Sequence, residues 1–298
     1  MFYRFLIKAI SSINGSYIHS FAYYYTYVYC ILRRFLCIKP PRHPSPVEVM
    51  GLSFPNQLGL AAGFIHDGRL LRYSGYTGLG LVEIGTINID SAIEHDPYVI
   101  DIIHDIKNAL HTYRYQRWGI NLGSLDHSLT QKATAYYTKG MKLFWRYADY
   151  LVINLSRPGS AVRTLQPDMQ SLADFFQSIM EQHGLLKTAN TNPIPITVKI
   201  AIDHLNNGHI IPVLMLVREY GFDGAIIAFE NWPDIESIRR YLGTLRVKLD
   251  PFPFIIVGGI RTADDARKIL DAGASLVQIY TSLVAYGPAY TKKMALML

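Results

Sequence analysis

The sequence predicts an α/β protein, a closed (β/α)8 TIM barrel that follows an amphipathic two-helix segment. Eight short β-branched runs recur after residue 50, most intervals between them contain a helix-like segment, and the runs end in small or polar residues. Strands that alternate with helices form right-handed βαβ units in a parallel sheet, and eight such units close into a barrel. The site of such a barrel lies at the C-terminal ends of its strands. A doubly wound open sheet is the alternative architecture.

The eight predicted strands lie between residues 58 and 281. They are LGLAAG (58–63), LVEIGT (81–86), WGINLG (118–123), YLVINL (150–155), ITVKI (196–200), GAIIAF (224–229), FIIVGG (254–259) and LVQIYT (276–281). The helix-like segments include Ser128 to Tyr147, Met169 to Gln182, Ile211 to Tyr220 and Ala263 to Ala272. Half of the 298 residues are hydrophobic, which is enough for a large core, and single barrels reach this length.

Charge and cysteine usage exclude several classes of function. The net charge of +6 suits an anionic partner, but no run of Lys and Arg suited to a phosphate backbone is present, so we expect no nucleic-acid partner. Cys30 and Cys37 match neither a disulfide framework nor a zinc-binding spacing. We therefore predict no metal site and favour a reducing compartment.

The N-terminal segment, residues 1–39, alternates aromatic and aliphatic residues. It predicts two short helices that are broken near Asn14 and Gly15, and the second helix extends roughly from Tyr17 to Cys37. The segment lacks about 20 uninterrupted apolar residues, so a spanning helix is not expected. It also leads into no cleavage site of the signal-peptide type.

The surroundings of this segment are predicted from its tyrosines and its basic border at Arg33 and Arg34. Side chains with an apolar body and a polar tip, flanked by cations, suit an amphipathic hairpin that lies on a membrane surface. Packing on the protein's own barrel or on a partner protein is the alternative. The stretch PPRHPSP (40–46) predicts a stiff linker, residues 40–47, before a barrel domain of residues 48–298.

The ends of the seventh and eighth strands predict a phosphate site. Gly258 and Gly259 allow a ligand to approach the backbone closely, and Thr262 is a candidate N-cap for the helix that follows. Tyr280 and Thr281 offer further donors after the eighth strand. Barrels commonly bind phosphate at this place. A turn without any ligand is the alternative.

Five stretches carry a resemblance that covers nearly the whole chain. They are MGLSFPNQLGLAAG, GLVEIGT, KGMKLFWRYADYLVINLS, VKIA and VGGIRTADDARKILDAGASLVQIYTSLVAYGP. With the two-helix opening, they resemble dihydroorotate dehydrogenase, specifically its membrane-associated, quinone-reducing class. The resemblance implies an FMN-containing barrel of pyrimidine biosynthesis, with a helical pair that sits on the membrane and admits quinone. In that family dihydroorotate is oxidised to orotate as a hydride passes to flavin N5 and a serine removes a proton.

The resemblance also assigns cofactor contacts. Three residues of the first strand would lie beside the flavin ring, four would face it from later strand ends, and four would hold the phosphate. They are Ala61, Ala62, Gly63, Thr86, Asn121, Asn154, Lys199, Gly258, Gly259, Tyr280 and Thr281.

The strand-four motif departs from the family pattern. The family's Asn-x-Ser-Ser-Pro-Asn-Thr is here Asn154, Leu155, Ser156, Arg157, Pro158, Gly159 and Ser160. Arg157 therefore takes the place of the serine base, and Gly159 that of a substrate-binding asparagine. A guanidinium stays protonated and accepts no hydrogen bond. Ser156 is a weak replacement, because neighbouring strand residues point to opposite sides.

Further departures concern the substrate. The family's lysine near flavin and orotate is His66, a weak candidate base, and two substrate loops have no counterpart. We therefore expect no catalytic residue and no orotate binding. The favoured hypothesis is a non-catalytic structural or assembly component of a membrane-bound complex, at the mitochondrial inner membrane or the bacterial cytoplasmic membrane. The alternatives are an FMN-dependent oxidoreductase, either a repurposed flavoenzyme or a divergent dihydroorotate dehydrogenase.

Overall fold

A computed structural model of the chain describes residues 3–4, 6–7, 10, 17–41, 46–89, 96–110, 115–124, 129–157, 168–190, 192–204 and 208–298. The predicted helix break at Asn14 and Gly15, residues 42–45 of the linker, and the motif residues Pro158, Gly159 and Ser160 lie outside these ranges. Tyr3, Arg4, Leu6, Ile7 and Ile10 are helical, in agreement with a first N-terminal helix.

The predicted closed barrel is confirmed. A short antiparallel hairpin of two strands precedes eight parallel strands, which close in the order β10-β3-β4-β5-β6-β7-β8-β9. The strands are β1 (Val47–Val49), β2 (Leu52–Phe54), β3 (Leu58–Ile65), β4 (Leu81–Ile89), β5 (Arg117–Ser124), β6 (Tyr150–Asn154), β7 (Ile196–Asp203), β8 (Gly224–Glu230), β9 (Phe254–Val257) and β10 (Leu276–Ile279). The open-sheet alternative is thereby excluded.

Helices connect the strands on the outside of the barrel. They are α1 (Tyr17–Phe35), α2 (Pro97–Leu110), α3 (Gln131–Phe144), α4 (Met169–Ala189), α5 (Ile210–Glu219), α6 (Ile235–Leu249), α7 (Ala263–Asp271), α8 (Thr281–Tyr286) and α9 (Pro288–Ala295), with a 3₁₀ helix at Leu71–Thr77. Several begin at a side-chain cap. The predicted N-cap Thr262 is confirmed, because it forms a reciprocal capping box with Asp265 at the start of α7.

Two apolar cores hold these layers together. The larger one lies between strands and helices and uses the outward residues of each strand, such as Ile120 and Val198. The smaller one fills the barrel at the amino ends of its strands and includes Tyr150. The β1–β2 hairpin packs there through Val49 and Phe54, so it closes this end of the barrel. The carboxyl ends of the strands are left for a site.

Helix α1 lies against the barrel through small side chains. Ala22, Thr26 and Cys30 are spaced four residues apart and are fully buried. The helix packs on the 3₁₀ helix, on α8 and on β3. Among the described helices, none combines the length and apolar character needed to span a bilayer.

Three predicted strands end earlier than expected. The fourth barrel strand, β6, ends one residue early, at Asn154. The seventh barrel strand, β9, ends at Val257, because Gly258 and Gly259 both have positive φ values and turn the chain. The eighth, β10, ends at Ile279, and Thr281 begins α8. These corrections move Gly258, Gly259 and Tyr280 from strands into the loops at the carboxyl end, and Thr281 into the first turn of α8.

Candidate functional site

A buried charged network occupies the barrel interior above the apolar plug. The Glu83 carboxylate, on β4, is fully buried and lies 3.4 Å from the Lys199 ammonium of β7. It also accepts a hydrogen bond from the Asn121 amide at 3.1 Å and another from the Gln278 amide. Burial raises the pKa of the neighbouring Tyr150 hydroxyl, and the charge of Glu83 raises it further. The network thus joins four strands, and the Glu83 carboxylate is the counter-ion of the buried Lys199 ammonium.

A neutral network lies beside it. The Asn154 amide donates to the Thr86 hydroxyl at 2.9 Å and to the Asn121 side-chain oxygen at 2.8 Å. Thr86 in turn donates to the same Asn121 oxygen at 2.8 Å. The structure therefore brings together four of the predicted flavin-facing residues, since Asn121 also links this network to Lys199 through Glu83.

The predicted phosphate residues follow the ends of β9 and β10, which are neighbouring strands. Gly258 and Gly259 have φ values of 116° and 69°. A side chain on Gly258 would overlap the carbonyl of Phe229, and one on Gly259 would reach the Ile238 side chain at 2.9 Å. Packing alone therefore requires these glycines. The Ser282 hydroxyl donates to the Ile260 carbonyl at 2.7 Å, which ties the two loops together.

A cavity of about 200 Å³ lies between α1 and the end of β3. Ala61 is buried, Ala62 and Gly63 are half-buried, and β3 is irregular between Leu60 and Ile65. The Tyr280 hydroxyl lies 3.0 Å from the His19 Nδ1 and 3.3 Å from the Gly63 carbonyl. Burial raises the pKa of Tyr280, so this hydroxyl remains protonated. The cavity therefore connects the N-terminal helix with the first strand end.

Arg157 lies just after β6, at the carboxyl end of the barrel. Its Nε is 3.8 Å from the place that a Cβ of Gly123 on β5 would occupy. Burial raises the pKa of the Tyr137 hydroxyl, and the nearby positive charge of Arg157 opposes that rise. The guanidinium therefore lies over the end of β5. The Ser156 hydroxyl and backbone amide instead bond the Asn154 side-chain oxygen, at 2.7 and 2.9 Å.

His66 is exposed on the loop after β3. Its carbonyl accepts a hydrogen bond from the Tyr98 hydroxyl at 2.8 Å. Next to it, Asp67 accepts a hydrogen bond from Tyr23 and pairs with Arg69 at 3.0 Å. His66 thus lies apart from the Asn154 network in the contacts of the described residues. These residues also contain no cluster of His, Cys, Asp and Glu suited to a metal ion.

The sequence reasoning missed Glu83 and Gln278. Both lie in the middle of strands that were interpreted as apolar runs, LVEIG and LVQIY. The available signal was their position, because each is two residues along from an inward-facing leucine, Leu81 or Leu276. A polar residue in that register must face the barrel interior.

The fold and the site define a (β/α)8 barrel of the enzyme type, whose polar side chains gather at the carboxyl ends of the strands. The family model for dihydroorotate dehydrogenase matches residues 234–298. Relatives named dihydroorotate dehydrogenase (quinone) are 30% identical in Verminephrobacter eiseniae, over 82% of this chain and 80% of the relative, and 31% identical in Cellvibrio japonicus, over 82% and 83%.

The chain belongs to the quinone-dependent dihydroorotate dehydrogenase family, as these relatives show. A crystal structure of DHODH in complex with ferulenol from Eimeria tenella has the same fold, with a TM-score of 0.70 over 90% of each chain at 22% identity. The predicted family is confirmed. The individual site residues stay predictions.

Proposed function

We propose that this chain is a dihydroorotate dehydrogenase-like barrel that does not oxidise dihydroorotate, and that it serves as a structural or assembly component of a membrane-bound complex. The observation that carries the proposal is the position of Arg157. It follows the end of β6, where the resemblance expects the serine base, and its side chain reaches over β5. A permanent cation there cannot remove a proton.

Ser156 does not supply the missing base. Its hydroxyl donates to the Asn154 amide oxygen, which is not a proton acceptor of useful basicity. Loss of a general base alone lowers a rate by roughly 10²–10⁴-fold. Loss of the substrate loops removes orienting contacts as well, which adds a comparable or larger reduction. Together these changes support a non-catalytic role.

The residues that we assign to FMN have the donor chemistry that a flavin requires. Lys199 offers a buried ammonium, Asn154 offers a side-chain amide, and the turn at Gly258 and Gly259 exposes backbone without side chains. Bound FMN would supply the hydride acceptor of the family reaction. Lys199 would then place a positive charge beside the ring. We propose that the pocket can still hold FMN as a structural ligand.

A second candidate function is an FMN-dependent oxidoreductase, either a divergent dihydroorotate dehydrogenase or a repurposed flavoenzyme. The cavity between α1 and β3 favours it, since the rings of His19, Tyr23 and Tyr280 line a space that reaches Gly63. A flat, electron-accepting molecule in this space would lie next to the predicted flavin position.

The proposed location is a membrane, mitochondrial or bacterial, and the support comes from α1. The helix exposes Tyr24, Val28 and Leu32 on the side opposite its buried residues, and Phe35 at its end. Such a face needs a cover of lipid or of a partner protein.

The test combines flavin content with turnover. The full chain, purified from membranes in mild detergent, is examined for flavin absorbance and then supplied with dihydroorotate and a soluble quinone analogue. An FMN-saturated dihydroorotate dehydrogenase is the positive control. We expect no detectable orotate when the assay can measure a rate about 10⁴-fold below that of the control. This detection limit corresponds to the rate reduction that loss of the base alone would cause.

Orotate formation that disappears in Arg157→Ala would overturn the proposal. The companion measurement is the native mass of the complex extracted from the same membranes. We expect a mass well above that of the single chain. A monomer that reduces quinone with another substrate would establish the second candidate instead.

A further inference from the structure

The charge of this chain is unevenly distributed along its length. The first 47 residues and the last 27 contain no Asp or Glu, although the chain has 23 acidic residues. These two segments hold eight Lys and Arg residues, which leaves 21 basic and 23 acidic residues in the rest. The positive excess of the whole protein therefore lies in its two terminal segments.

The fold brings these two segments together. The Tyr3 hydroxyl donates to the Val284 carbonyl at 2.7 Å, and the Arg4 guanidinium lies 5.3 Å from the centre of the Tyr286 ring. Helix α1 packs on α8 and on the 3₁₀ helix, and α9 packs on both of these elements as well. None of α1, α8, α9 and the 3₁₀ helix contains an acidic residue. We call this surface the acid-free face.

Lys292, on α9, packs against Gly78 at the end of the 3₁₀ helix, and α1, which carries Arg33, packs on the same 3₁₀ helix. Partial burial lowers the pKa of Lys292, on α9, and the positive charge of Arg33, on α1, lowers it further. The Arg33 Nε is buried and has no hydrogen-bond acceptor among the described residues. Neither residue forms a salt bridge within the part of the chain that the structure describes. Like charges held together without a counter-ion favour an external anion.

An apolar stripe lies on the other, exposed side of α1. Along α1, Tyr24, Val28, Leu32 and Phe35 are 60%, 52%, 54% and 83% exposed. Tyr24, Val28 and Leu32 lie on the side of the helix opposite Ala22, Thr26 and Cys30, because each is offset by two residues, or about 200°, and Phe35 follows at the end of the helix. Large apolar side chains bordered by cations match the layered structure of a bilayer surface, with acyl chains below anionic headgroups.

We propose that the acid-free face binds anionic phospholipid headgroups through α9 as well as α1, with Lys292 and Lys293 supplying charge from the C-terminal end of the barrel while the α1 stripe enters the lipid. The inference rests on the proposed membrane location. It adds the lipid class and a contact outside the N-terminal segment. A protein partner would not require that all four of these helical elements lack acidic residues.

The test measures binding of the full chain to lipid vesicles by co-sedimentation, with phosphatidylcholine alone or mixed with phosphatidylglycerol. Each cation near an anionic surface contributes about five-fold in affinity. The variant K292Q/K293Q is therefore expected to bind the mixed vesicles roughly 20-fold more weakly. The control K187Q/K248Q changes the net charge equally on exposed helical lysines of α4 and α6, and is expected to bind as the parent does.

Three outcomes decide the matter. Weaker binding of K292Q/K293Q, together with a binding preference of the parent for the mixed vesicles that salt suppresses, supports the proposal. Equal binding to both vesicle types, or equal binding of the two double variants, overturns the headgroup inference and leaves the membrane location intact. If the chain binds neither vesicle type but is held in a complex in native membranes, a protein covers the stripe. That result refutes the lipid inference and leaves the proposed function unaffected.

Discussion

Glu83 accepts hydrogen bonds from side chains of three other strands, which makes it the centre of the polar interior. Asn121, Lys199 and Gln278 all donate to its carboxylate, and the carboxylate is fully buried. A charge in this place is tolerated only because these donors and the lysine compensate its lost hydration. The position of Lys199, and with it the charge beside any bound flavin, therefore depends on Glu83.

Replacing Glu83 with Ala should destabilise the barrel strongly, because Lys199 would be left buried without a counter-ion. Breaking a buried pair on one side costs about 3–5 kcal/mol of unfolding free energy. Urea unfolding followed by circular dichroism measures the loss. Glu219→Ala, the same change at an exposed position of α5, is the control. A loss no larger than that of the control would show that the pair contributes little.

At this scale the sequence predicted Arg157, Lys199 and the asparagines, but not the interactions that hold them. Arg157 could be identified because it breaks a local motif. The register of Glu83 and Gln278 indicates that they face the interior, but the hydrogen bond between them could not be predicted, because it forms across the barrel and no local pattern records it. The same holds for Arg33 and Lys292, whose proximity follows from the docking of α1 on the C-terminal helices.

At the scale of elements, alternation within each strand sorts the side chains into two cores. In β5, Ile120 and Leu122 face the helices, whereas Gly119 and Asn121 face the interior. The eight strands could be predicted to within a few residues, and so could helices α1, α3, α5 and α7, whereas α4 extends seven residues beyond the predicted Gln182. The β1–β2 hairpin was not predicted, because strands of three residues are too short to show a period.

Gly119 tests how tightly the interior is packed. A Cβ there would overlap the ring of Tyr150, so Gly119→Ala should lower the unfolding free energy by about 1–3 kcal/mol. Gly243→Ala is the matched control, since nothing lies within 4 Å of its added Cβ on α6. That change should raise stability by about 0.5–1 kcal/mol through helix propensity. Chemical denaturation of both variants distinguishes the two effects, and opposite signs are expected.

At the scale of the whole molecule, α1 is an attachment to the barrel rather than one of its repeating units. It contacts the 3₁₀ helix, α8 and β3 by small residues, and these allow close approach. Tyr23 and Tyr27 add ring contacts with Phe64 and Tyr73, so the docking combines close approach with buried aromatic surface. The sequence predicted the helix and its amphipathic character, and left open what it packs on. The structure shows that one face packs on the barrel.

Enlarging Ala22 should detach α1 while the barrel remains folded. Ala22→Phe inserts a ring into a fully buried contact, and overpacking of this kind costs about 1–3 kcal/mol. Amide hydrogen exchange should then show protection in α1 lowered by about one to two orders of magnitude. The strands β3–β10 should exchange as before. Val28→Phe, on the exposed face of the same helix, should leave the exchange rates of α1 and of the strands unchanged. If Ala22→Phe lowers protection in the strands as well as in α1, independent docking of the helix is refuted.

The β1–β2 hairpin, which closes the amino end of the barrel, determines the side from which a ligand enters. With Phe54 and Tyr150 filling that end, a molecule can reach Lys199 and the asparagines only from the opposite rim. That rim is where α1 lies, close to Gly63 and Tyr280. The open carboxyl end of the barrel therefore faces the same surroundings as the N-terminal helix. A molecule bound at this rim also blocks entry to the barrel interior. Attachment of the protein through α1 and ligand binding inside the barrel are therefore coupled.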